Sequence, residues 1–266
     1  MEKRHAWIDG CSNRGCKTLT VTIGAMNPPK KLLTQNSELK PDGIFNWTLP
    51  AFAIKLTDGS NFNVCPQAGA CSSFCYARNG TYLFRNVRSR HILNLEYVLN
   101  YPEQWFEQML AEVQKPKMAG KHIRIHDAGD FFSEDYLNLW LRIARETPAV
   151  TFYCYTKEVA LFKKVVEPNC PENFRYLYSL GGKQDHLINK ETDRHAEVFP
   201  DDAAILDAGY MSQDASDLLA ITLPSNKIGI PANNIKHFNK KLAGRTFGDV
   251  QDELDEKRRV KLSGVS

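Results

Sequence analysis

The sequence predicts an α/β protein built on a full or partial (βα) barrel. Three observations predict it. From about residue 51 onward, short apolar runs alternate with amphipathic helical stretches, the pattern of parallel βα units. Polar or small residues stand at the ends of four successive candidate strands, where barrel folds carry their sites. The chain has 266 residues, 42% of them hydrophobic and 24% charged, enough for one large core.

That composition excludes collagen-like, coiled-coil and wholly disordered chains. No apolar run reaches the roughly 18–20 residues of a membrane helix. The N-terminus, MEKRHAWIDGCSNRGC, lacks the apolar stretch of a signal peptide, so the expected location is the cytoplasm, with no membrane partner. With 34 basic and 31 acidic residues the net charge is +3, too even to imply nucleic-acid binding by the chain as a whole. A local basic groove remains compatible with it.

The first 50 residues read as an irregular segment, with turns at Asn27-Pro28-Pro29 and Lys40-Pro41-Asp42-Gly43 and a short strand at 19–23. Residues 51–56 (AFAIKL) form the first strand of the barrel-like region, ended by Thr57-Asp58-Gly59-Ser60. Residues 81–100 turn helical, with Ile92, Leu95 and Leu99 on one face. A second helix starts at Pro102, a residue suited to a first helical turn. Residues 122–126 (HIRIH) are a strand, and Ser133 caps a helix reaching Glu146. Residues 150–155 (VTFYCY) are a strand followed by a helix at 158–166. Further strands are expected at 174–180, 203–206 and 227–230, with a weak helix at 212–219. The segment from Asp249 is charged throughout and reads as a solvated helix or a frayed end; its Lys257-Arg258-Arg259 cluster is weak evidence for nucleic acid. The organisation is thus an extension over 1–50, a barrel-like domain over 51–248 and a tail over 249–266.

The sharpest feature is Cys65-Pro-Gln-Ala-Gly-Ala-Cys71-Ser-Ser-Phe-Cys75-Tyr76, spaced C-x5-C-x3-C in a loop between a strand and a helix. Three thiolates converging on one point repel each other unless a cation neutralises them. Zinc sites usually draw on two short-spaced pairs, whereas three cysteines in one loop suit a 4Fe–4S cluster with one iron open to another ligand. A reduced cluster of thiols without metal is the plain alternative. Cys11 and Cys16 are either incidental thiols or the source of a fourth or second-metal ligand. Cys154 lies in an apolar strand and is expected in the core, and Cys170 sits in a loop.

The strand ends supply the second set of candidates. One strand runs into His126 and Asp127, and these with Gly129 and Asp130 are suited to a polar ligand, an amine or a metal. Asp130 and Ser133 also suit plain helix capping. Lys157 ends the next strand, fit to neutralise a carboxylate or phosphate. Ser179, Gly181 and Gly182 end the one after, where glycines allow close backbone approach to a ligand. Asp207-Ala208-Gly209 repeats the pattern more weakly.

The loop CPQAGACSSFCYARNG, the stretch IRIHDAGDFFSEDYLNLW, the segment VTFYCYTKE and the late KIGIP resemble the phage and mobile-element family called gene product 88, over residues 51–230. That resemblance implies an architecture and, if phage-encoded, a place in the host cytoplasm; it implies no reaction. More distantly, the pattern is similar to radical S-adenosylmethionine enzymes, which carry three cysteines after the first strand of a partial barrel. By that likeness Cys65, Cys71 and Cys75 would ligate the cluster. Tyr76, Ser179, Gly181 and Gly182 would line the cofactor pocket, with His126, Asp127, Asp130 and Lys157 as catalytic candidates. The spacing is wider than that superfamily's usual C-x3-C-x2-C.

Three functions follow from these residues. The leading one is an iron–sulfur enzyme with S-adenosylmethionine as cofactor and an unidentified substrate. The second is a non-catalytic nucleic-acid- or protein-binding module with a structural or redox-sensing cluster, touching nucleic acid through Arg78, Arg85, Arg88 and Arg90 with Tyr82 and Phe84 interleaved. The third replaces iron by zinc for hydrolysis.

Overall fold

The computed structural model describes residues 27–232, 240 and 242–263. Cys11, Cys16 and the strand expected at 19–23 lie outside the described residues.

Seven strands form one sheet: β1 (Ile44–Trp47), β4 (His122–Ile125), β5 (Thr151–Thr156), β6 (Phe174–Ser179), β7 (His195–Phe199), β8 (Met211–Ser212) and β9 (Lys227–Pro231). Their order is β1-β4-β5-β6-β7-β9-β8, and every neighbouring pair is parallel. A separate antiparallel pair joins β2 (Ala53–Lys55) to β3 (Asn61–Asn63). The helices are α1 (Cys71–Phe74), α2 (Arg85–Asn100), α3 (Pro102–Val113), α4 (Glu134–Glu146), α5 (Val159–Val165), α6 (Asp202–Asp207), α7 (Leu219–Thr222) and α8 (Phe247–Ser263).

The expected parallel βα order is present, but among the described residues the pairing shows an open sheet, with β1 and β8 as its two edges, and not a closed barrel. Side chains link the two edge regions. Ser216, just after β8, donates to Asp42, just before β1, at 2.6 Å.

Strand alternation sorts the two faces of the sheet. Ile123 and Ile125 of β4, with Phe152 and Cys154 of β5, point into the main core under α3 and α4. Trp105 and Trp140 meet there edge to face at 5.2 Å between ring centroids. Arg124 of β4 and Tyr153 and Tyr155 of β5 point to the opposite face, where the segment after β8 covers them.

Several elements differ from the sequence-based expectation. Residues 44–47, read as part of an irregular segment, are β1 of the main sheet. Residues 53–55, read as the first barrel strand, belong instead to the hairpin. Residues 203–206, expected as a strand, lie in α6, whose N-cap Asp201 accepts the Ala204 amide at 2.9 Å. The expected cap at Ser133 is present, accepting the Tyr136 amide at 3.2 Å. The charged C-terminal stretch is a docked helix, α8, with Gln251 fully buried. Cys154 is buried in β5 and Cys170 is exposed.

Candidate functional site

A cavity of about 1060 Å³ opens where the strands of the main sheet end. β4 ends at Ile125, because His126 turns into the left-handed region at φ 63°. His126 and Asp127 both send their amides to the Trp47 carbonyl, at 3.0 and 3.3 Å. The chain then bends at Gly129 (φ 92°), where a Cβ would lie 2.7 Å from the Leu49 side chain.

The cysteine loop forms one wall. Cys65 follows β3, Cys71 opens α1 and Cys75 closes it. The four-residue spacing of Cys71 and Cys75 sets both on one face of a helical turn. All three thiols are free, half-buried and line the cavity. Burial, then the Asp130 carboxylate, push the Cys65 thiol well above its ordinary value. Burial also raises Cys71 and Cys75, against the pull of the Lys157 ammonium on both.

The loop is held from two sides. The Cys71 amide donates to the Gly181 carbonyl at 3.1 Å, and the Ala70 amide to Gln251 Oε1 of α8 at 2.7 Å. Gly69 makes room for that contact: a Cβ there would fall 2.0 Å from Gln251 Oε1.

The strand-end candidates meet the thiols. His126, Asp127, Asp130, Lys157, Ser179 and Tyr76 line the same cavity. His126 Nε2 lies 2.8 Å from the Tyr136 hydroxyl, and its Nδ1 is buried with no hydrogen-bond partner among the described residues. Burial depresses its pKa to about 3, so the imidazole is neutral. Asp127 accepts from the Tyr82 hydroxyl at 2.7 Å, and its backbone carbonyl accepts from Tyr76. Asp130 accepts from Thr156 Oγ1 (2.8 Å) and from the Phe131 (2.8 Å) and Lys157 (2.9 Å) amides, stitching the β4 end to the β5 end. Lys157 Nζ donates to Ser179 Oγ at 2.7 Å.

Gly181 and Gly182 stand just behind this wall. Their amides donate to Asp185 at 2.7 and 2.9 Å, and burial is the main cause raising that carboxyl to about 6. These glycine amides are therefore occupied within the protein, and Gly181 serves the cysteine loop.

Sequence reasoning missed the rest of the lining. Arg124 pairs with Asp217 at 3.1 Å and sits 5.1 Å from the Tyr155 ring centroid. Tyr155 donates to Gln213 at 2.5 Å, and Tyr153 donates to Asp217. The strand HIRIH held one usable signal: Arg124 falls on the face opposite Ile123 and Ile125. Nothing in the local sequence marks Asp217.

Among the described residues no group of three or more His, Cys, Asp or Glu side chains is set to hold a metal ion. One zinc ion requires its sulfurs at about 2.3 Å from a single point. A four-iron cluster carries each thiolate on a separate iron, so its donors stand further apart. The three free thiols thus line one cavity without being gathered on one point as a single ion would need.

No helix among the described residues is long and apolar enough to cross a membrane. The family model "Gene product 88" matches residues 26–261. The Gene 88 protein of Mycobacterium phage L5 is 36% identical over 115 residues, 40% of this chain and 48% of that protein. The Gene 88 protein of Mycobacterium phage D29 is 35% identical over the same length and shares. The match thus spans about half the length of these curated relatives. No solved structure matches the chain.

Proposed function

The chain belongs to the gene product 88 family, and on that premise we propose that it is an iron–sulfur enzyme acting in the host cytoplasm, with the cluster on Cys65, Cys71 and Cys75. What supports the reading is one observation: the three free thiols and the strand-end groups His126, Asp127, Asp130 and Lys157 line a single cavity. When bound, a cluster with three protein ligands supplies one-electron chemistry and an iron open to a further ligand, for which S-adenosylmethionine is the proposed cofactor.

The chain's own residues have distinct parts in this reading. The three thiols must lose their protons to bind metal, which burial opposes and Lys157 assists at Cys71 and Cys75. Lys157, held by Ser179, places a positive charge beside Cys71 and within reach of an anionic ligand group. Tyr76 holds the Asp127 backbone carbonyl, while its carboxylate accepts from Tyr82 and faces Arg124 at 4.0 Å; in this reading it is the acceptor for an amine or hydroxyl of the ligand. Asp130 acts as a positioning residue, since its oxygens are spent on Thr156 and two amides.

The reading is tested by electron paramagnetic resonance of the anaerobically purified, reduced protein, before and after adding S-adenosylmethionine. A cluster signal that changes on addition is the expected result. A cluster signal indifferent to the compound would reject this cofactor, and no cluster signal would reject the whole proposal. Asp127→Asn should leave the signal in place, because Asp127 contributes no ligand.

A further inference from the structure

The surface beside the cavity mouth carries positive charge and bare aromatic faces together. Residues 59–95 contain no aspartate or glutamate, yet Arg78, Arg85, Arg88 and Arg90 fall within them. Arg85 opens α2 and Arg88 lies one turn on, both exposed, with no acidic residue in that first turn. Neither guanidinium has an ion pair or hydrogen bond among the described residues. Their charges also oppose the helix dipole there, a local cost with no compensating acidic partner among the described residues. Directly before them, Leu83 and Phe84 are 59% and 58% exposed. Tyr76, 40% exposed, belongs both to this surface and to the cavity wall. Arg90 does not share the surface, because its guanidinium is turned onto the Lys31 carbonyl.

We propose that this face binds single-stranded nucleic acid and leads one unpaired nucleotide into the cavity. Arg85 and Arg88 meet the phosphates, beside Arg78, whose guanidinium donates to the Ser72 carbonyl at 3.2 Å, and Phe84 and Tyr76 offer stacking faces for bases. The charge is complementary to a polyanion, and the exposed rings suit flat, unpaired bases better than a closed duplex. The cavity, at about 1060 Å³, lies just above the roughly 300–1,000 Å³ of small-molecule sites. The inference names a substrate class for the site and rests on the iron–sulfur reading for its chemistry, though the binding itself does not need a cluster.

The test is fluorescence anisotropy of a labelled single-stranded 20-mer over a range of salt concentrations. It uses the full chain, Arg85→Ala/Arg88→Ala and Phe84→Ala. Iron content and circular dichroism are recorded on each preparation. The double variant should bind at least tenfold more weakly, with a log–log salt slope shallower by about 1.4, two phosphates at roughly 0.7 each. Phe84→Ala should lose about five- to a hundredfold in affinity with little change in slope. The matching duplex should bind more weakly than the single strand. Variants that keep their circular dichroism and bind like the parent chain would overturn the inference, as would a parent chain that prefers the duplex. Binding to phosphatidylserine vesicles but not to the 20-mer would overturn it too. Iron without binding sinks this inference alone; binding without iron sinks the iron–sulfur reading alone.

Discussion

His126 shows how much one residue's surroundings decide. The Trp47 indole can only donate, and it donates to the Tyr136 hydroxyl oxygen at 2.8 Å. Tyr136 therefore turns its own proton toward His126 Nε2, 2.8 Å away. The neutral ring must then carry its proton on Nδ1, the atom without a partner. Burial holds its pKa at about 3, below the unfolded value of about 6.5. The unfolded chain thus takes up a proton first as pH falls, so His126 stabilises the fold above about pH 6.5 and loses that contribution on acidification toward 3. The loss should reach about 2 kcal/mol at pH 5. His126→Asn keeps a residue tolerant of positive φ and removes the titration. Urea unfolding of both proteins from pH 7 to pH 4 should show the parent losing stability relative to the variant. Parallel curves would contradict the assignment.

At the scale of elements, α8 acts as a clamp on the cysteine loop. Gln251 accepts the Ala70 amide, Glu197 of β7 accepts the Gly248 amide at 2.7 Å, and Phe247 packs against Phe74 at 5.2 Å. Gln251→Ala leaves the Ala70 amide buried and unpaired, costing about 1–3 kcal/mol. The same variant, and Gly69→Ala, should speed alkylation of Cys71 by iodoacetamide, followed by mass spectrometry. Unchanged rates would mean that α8 does not restrain the loop. The clamp was invisible in the sequence, because a run of charges reads as solvated whether or not one glutamine in it is buried. The Lys257-Arg258-Arg259 cluster proves partly neutralised, with Arg258 on Asp255 and Arg259 on Glu256. Helices α3 and α4 were legible from Pro102, Ser133 and their apolar spacing. Strands β4, β5, β6 and β9 were legible from their β-branched and aromatic runs. β1 and β7 were not: IFNW is short and sits between turns, and HAEVF interleaves polar groups that are buried only in the fold. α6 carried its cap, Asp201, in plain view, but four apolar residues fit a strand equally well. The three cysteines and the strand-end polar groups could be named from spacing alone. That they share one cavity could not, since it depends on sheet order.

Across the whole molecule, an open parallel sheet leaves its polar-lined face to be covered by something other than strand pairing. The segment after β8 does this, through Asp217 on Arg124 and Tyr153, Gln213 on Tyr155 and Ser216 on Asp42. Both partners of the Arg124–Asp217 pair are mostly buried, at 18% and 13% side-chain exposure. Removing one strands the other: Asp217→Ala should cost about 3 kcal/mol in denaturant unfolding. Replacing both, as Arg124→Met with Asp217→Leu, should recover much of that loss. A single variant as stable as the parent would show that the pair does not tie the face shut.

The fold brings three thiols and four strand-end polar groups to one cavity, and the central claim is that the thiols hold a cluster. The most direct measurement is iron and acid-labile sulfide per chain after anaerobic purification, for the parent and for Cys65→Ser/Cys71→Ser/Cys75→Ser. The account predicts about four of each per parent chain and almost none in the variant. Zinc without sulfide, or equal iron in both proteins, would contradict it.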